Sequence, residues 1–152
     1  MLLPCGKGTH MKKLLDRIFI DGLTGMAQGL FATLIIGTII QQIGTYCGGN
    51  IGDLIFTLGK VAAGLTGAGI GAGVARKLDA GHLVIVSAAV VGMIGAFAGD
   101  VMSGDIVNDG SLVLSGPGEP LGAFVAAYIA IEIGILISGK TKLDIILTPL
   151  VC

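Results

Sequence analysis

The sequence predicts an all-α polytopic membrane protein of four transmembrane helices, and three observations carry that prediction. Hydrophobic residues make up 53% of the 152 residues and charged residues 12%, about half the roughly 25% charged of an ordinary soluble domain. Mean hydropathy is +0.94. The apolar residues fall into four long runs, and of the flanks and connections around them only alternate ones carry basic residues. The expected spans are residues 23–43, 54–75, 83–98 and 121–138, within one membrane domain over 12–152.

Residues 1–11 (MLLPCGKGTHM) differ in character from the rest of the chain and contain no apolar core of signal-peptide length. They are expected to be a leader or expression-derived segment, with the natural start at Met11. Lys12 to Ile20 is a short basic amphipathic stretch, expected to lie at the membrane interface, with Asp21 as helix N-cap. The first span has Gly25-x-x-x-Gly29 near its start and Gln41-Gln42 at its exit. The stretch Gly44 to Asp53 (GTYCGGNIGD) reads as a turn-rich loop.

The second span holds Lys60 and the series Gly64, Gly67, Gly69, Gly71 and Gly73. Small residues four apart put glycine on one helix face, as close helix packing in a membrane requires. Arg76-Lys77 ends that span and Asp79 to Gly81 makes a turn. The third span is the shortest. The polar connection Gly99 to Glu119 carries Asp100, Asp105, Asp109 and Glu119 and no basic residue. The fourth span opens at Pro120, a residue suited to the first helical position, and contains Glu132. After Lys140 and Lys142, the piece 143–151 is too short to span and is broken at Thr148-Pro149, so a re-entrant or broken segment is expected there.

Lys12, Lys13 and Arg17 precede the first span, Arg76 and Lys77 join the second to the third, and Lys140 and Lys142 follow the fourth. Basic residues concentrate in cytoplasmic loops, so both termini are expected in the cytoplasm.

Among candidate functional groups, Glu132 and Lys60 are the charges placed deep in the spans, and intramembrane charges are costly enough to suggest function. Lys60 either reaches inward to Glu132 or snorkels outward to the acidic connection. Glu132 either hydrogen-bonds a polar solute or cycles a proton, or the two form a register-fixing pair. Gly134 to Thr141 (GILISGKT) matches the phosphate-loop pattern, but its loop positions are apolar and lie inside a span, so chance is the better reading. Gly67 to Ala72 matches a loose dinucleotide pattern with no strand before it. Cys5, Cys47 and Cys152 show no metal spacing, and no structural disulfide is expected. His10 and His82 are isolated. No catalytic set can be assembled, and neither a metal, a cofactor nor nucleic acid is expected.

Three stretches carry a resemblance: Asp21 to Gly44 (DGLTGMAQGLFATLIIGTIIQQIG), Gly118 to Phe124 (GEPLGAF) and Gly139 to Val151 (GKTKLDIILTPLV). Through them the chain resembles the second family of phosphotransferase-system EIIC membrane components, bacterial sugar permeases. The resemblance implies a polar solute, a sugar, bound in the membrane domain, with phosphoryl transfer left to separate soluble components. It implies solute contact by Glu132 or Glu119, with Asp144 and Thr148 lining the path near the cytoplasm; Lys60 and Gln41 are the other polar candidates in the spans. Its members are longer, so the chain is expected to be the N-terminal half of a permease or a half-size relative, working as a homo-oligomer or with a second membrane half. The competing readings are a non-transporting assembly or sensor subunit, whose Gly-rich faces pack partners, and a small channel.

Overall fold

The computed structural model describes residues 12–13, 15–104, 107–108, 111–112 and 116–137. Within them the chain is helical apart from one small hairpin. A π-helical turn, Arg17–Gly22, runs directly into α1, Leu23–Cys47. Then come α2 (Gly49–Gly64), α3 (Thr66–Lys77), α4 (His82–Ala96), the short α5 (Ala98–Ser103), a two-residue pairing of β1 (Val107–Asn108) with β2 (Ser111–Leu112), and α6 (Pro120–Ile137). Among the described residues, two helices are long and apolar enough to cross a membrane, Arg17–Cys47 with 31 residues and Pro120–Ile137 with 18. The pair α2 and α3, bent by 42°, makes a third if taken as one span, whereas α4 has only 15 residues.

Glycine dictates how these helices meet. α1 lies antiparallel along the whole of α2 and α3, and glycines on both sides remove the side chains that would hold the backbones apart. A Cβ on Gly25 would stand 2.7 Å from the Gly73 carbonyl oxygen, and one on Gly37 2.7 Å from the Ala63 nitrogen. The four glycines of α3 divide between two neighbours. Gly69 and Gly73 face Gly29 and Gly25 of α1, while Gly67 and Gly71 face Gly92 and Ala88 of α4. A helix with small residues on two faces can be gripped from both, so α3 is the centre of the bundle; Ile70, Val74 and Ala75 are fully buried there. α4 packs in turn on α6 through Gly95 and Gly122. The remaining core is apolar, from Val84, Ala88, Ala123, Phe124, Ala127 and Ile131.

Two expectations from the sequence change here. The stretch Gly44 to Asp53 is helix on both sides of a single non-helical residue, Gly48. Gly44 and Gly52 bring α1 and α2 together at backbone distance, and Gly48, at φ 59 and ψ 171, reverses the chain at once. That conformation is essentially restricted to glycine. Since a Cβ on Gly48 would meet nothing within 4 Å, Gly48→Ala should cost about 1–3 kcal/mol through backbone strain alone. Gly99, equally open but without positive φ, should accept Ala nearly neutrally, and thermal unfolding in detergent would compare the two. Second, Asp21 is not an N-cap: helix is already present at residues 15 and 16, and Asp21 lies within the π turn.

Candidate functional site

The second predicted span breaks at Leu65, between α2 and α3. No proline causes the break. The Thr66 hydroxyl donates to the Ala63 carbonyl at 2.6 Å, and the Thr33 hydroxyl of α1 faces Thr66 at 3.3 Å. Threonine bonding back to the turn before it disturbs a helix's own ladder and bends it. The α4–α6 connection passes the same level, with Gly116 and Pro117 opposite Gly64 and Leu65. The result is a cavity of about 720 Å³, with Gln41 of α1 and Thr57 and Lys60 of α2 as its polar wall and Val61 and Met93 among its apolar lining. Gly59 seats the Gln41 side chain, since a Cβ there would lie 2.6 Å from Gln41 Cγ. Lys60 Nζ stands 5.2 Å from the centre of the Phe56 ring, a cation–π distance.

Glu132 belongs to a different place. Its Oε1 lies 3.3 Å from Nε of Arg17, in the π turn, with the side chains 38% and 41% exposed. The approach is not aligned as a hydrogen bond, and Oε1, itself buried, has no hydrogen-bond partner among the described residues. Tyr128, four positions back on α6, lies on the same helical face as Glu132. Of the alternatives for Lys60, contact with Glu132 is not made. Pro117 borders the Lys60 cavity, and Glu132 lies twelve residues beyond Pro120 on α6, roughly 18 Å along the helix.

Glu119 ties α6 to α4: its backbone N–H donates to the Ala96 carbonyl at 2.7 Å, and its own carbonyl accepts from Ala123 N–H at 3.1 Å. Helix α6 begins at Pro120 as expected. Asp144 and Thr148, like the broken segment 143–151 and residues 1–11, lie outside the described residues. Of the phosphate-loop match, Gly134 to Ile137 are part of α6, so those positions form no loop.

The family described as Phosphotransferase system, EIIC, matches residues 20–152. The chain belongs to that family. No curated protein and no solved structure matches it. EIIC domains are the membrane transport components of that system, so the apolar helices of this EIIC chain are membrane-embedded. Its cavity at the Leu65 break, which brings Gln41 and Lys60 together, was not legible as a site in the sequence. A signal for the Arg17–Glu132 pair did exist. Counted back from its C-terminal end at Ile137, Glu132 is only about 8 Å away, at the end of the bundle where Arg17 enters.

Proposed function

We propose that this EIIC chain is the permease component of a phosphotransferase-type system, carrying a sugar across the bacterial cytoplasmic membrane. The observation that carries the reading is the cavity at the Leu65 break, where Gln41, Thr57 and Lys60 meet the Gly116–Pro117 turn. Transporter sites favour interrupted helices, because an unwound turn offers polar backbone groups where side chains are scarce. The spans are Arg17–Cys47, the bent pair α2–α3, α4 and α6, with both termini in the cytoplasm. Supporting that orientation, Arg17 and the Arg76–Lys77 end of α3 lie at one end of the bundle, as the pairing of Gly25 with Gly73 requires.

In this reading Gln41 and Lys60 contact the solute in the cavity. Glu132, held by Arg17 at the basic end, is the carboxylate met on the cytoplasmic side, where Asp144 and Thr148 continue the path. Glu119 anchors the turn that closes the cavity. Phosphorylation is done by soluble partners, and a second membrane half or a second copy completes the pathway. The Gly67–Gly71 face, which a packing subunit would offer to a partner, is already occupied by α4 of the same chain.

Binding of a sugar panel to the purified protein in nanodiscs tests the proposal. Saturable binding is expected, weakened about tenfold by Gln41→Ala, the loss of one solute hydrogen bond. A folded protein that binds none of the panel would sink the reading.

A further inference from the structure

We propose that the transported solute carries an anionic group, a carboxylate or a phosphate, and that Lys60 is the residue that receives it. The inference rests on the cavity at the Leu65 break being the solute site, and it names the class of solute that site would take.

The charge balance of the cavity wall is the first argument. Among its described lining residues Lys60 is the one ionisable group, and no carboxylate joins it. Nor does any described Asp or Glu pair with Lys60, since the ion pair found is Arg17 with Glu132. A lysine in a membrane segment is ordinarily paired, or placed at a helix end where its ammonium can reach water. Lys60 is eleven residues from the first residue of α2, Gly49, roughly 16 Å along the helix. It is four residues before the other end of α2, Gly64, at the break inside the bundle, and its Nζ stands 5.2 Å from the centre of the neutral Phe56 ring.

The second argument concerns donors. The Thr57 hydroxyl donates to the Asp53 carbonyl at 2.8 Å within its own helix, which leaves it only as an acceptor toward the cavity. The side-chain donors of the polar wall are therefore the Gln41 amide and the Lys60 ammonium. A neutral sugar offers hydroxyls that both give and take, and would bring no charge opposite to the ammonium. A solute with an anionic group satisfies Lys60, places its hydroxyls toward Gln41 and Thr57, and lays its apolar face on Val61 and Met93. The same phosphate chemistry could arrive on a lipid headgroup, and the test separates the two sources.

The test measures binding to the protein in nanodiscs of purely zwitterionic lipid, using matched probes: glucose, gluconate, glucuronate and glucose 6-phosphate, with galactose and galactonate. At least one anionic probe is expected to bind about tenfold or more tightly than its neutral counterpart, as a charge-assisted contact implies. Lys60→Met should abolish that preference and Lys60→Arg should retain it. If neutral sugars bind as tightly as the acids and Lys60→Met changes neither, the anionic solute is ruled out, while binding sensitive to Gln41→Ala would leave the permease reading standing. A Lys60-dependent response seen only after adding phosphatidylglycerol to the discs would assign the contact to lipid and overturn the inference. If a folded protein binds no probe, the inference falls together with the cavity as a solute site.

Discussion

Gly71→Ala should leave little folded protein. A methyl at that position would run into the Ala88 carbonyl oxygen and its carbon on α4, and neither belongs to a side chain that could turn away. Overpacking ordinarily costs about 1–3 kcal/mol because neighbours adjust. Here a backbone must move instead, so the cost should reach about 3 kcal/mol or more, a large share of the roughly 5–15 kcal/mol that holds a typical domain together. Yield and thermal unfolding in detergent would report it, with Gly99→Ala as the neutral comparison. Wild-type behaviour in Gly71→Ala would mean that α3 and α4 do not meet at this face.

Charge reversal at Arg17 should also destabilise the protein, by a smaller amount. Arg17→Glu would put a second carboxylate beside Glu132, where the two groups now lie 3.3 Å apart and are 41% and 38% exposed. At that distance, Coulomb energy with an effective dielectric near a protein surface is about 5 kcal/mol, and solvent screening at such exposure reduces it to roughly 0.2–1 kcal/mol. The double exchange Arg17→Glu with Glu132→Arg should recover most of the loss. Unfolding midpoints of the four proteins form a mutant cycle. A coupling near zero would show that the pair is incidental.

The helices were legible in the sequence because apolar length is a direct measure of the bilayer problem. Pro120 as the first residue of α6, the Asp79–Gly81 turn and the glycine faces of α3 could all be read from residue type and spacing. Which neighbour each glycine faces could not, because Gly67 and Gly69 differ only in direction around the helix, and direction is set by the other helices. The break at Leu65 was hidden for a related reason. Glycine and threonine are ordinary within membrane helices, and only the meeting of Thr33 with Thr66 shows where the ladder gives way. Gly44 to Asp53 read as a loop because its glycines resemble turn formers, yet Gly44 and Gly52 serve close packing, and only Gly48 and Gly49, both at positive φ, turn the chain. Glu132 and Lys60 were weighed against each other by depth, and depth measured from one end conceals a partner that enters from the other.

The one-residue reversal at Gly48 has a consequence for how the protein enters the membrane. Between Asp21 and Asp53 the chain carries no charged residue, so the tip formed by Cys47, Gly48, Gly49 and Asn50 is itself uncharged, and Asp53 is the nearest charge to cross the lipid with it. α1 and α2 touch almost from that tip onward, with Gly44 against Phe56 and Gly52, so their contacts close over very short loops. Short-range contacts form early. The first two helices can therefore insert together as a hairpin before α4 and α6 have been synthesised, giving α3 one finished wall to dock against while it waits for the other.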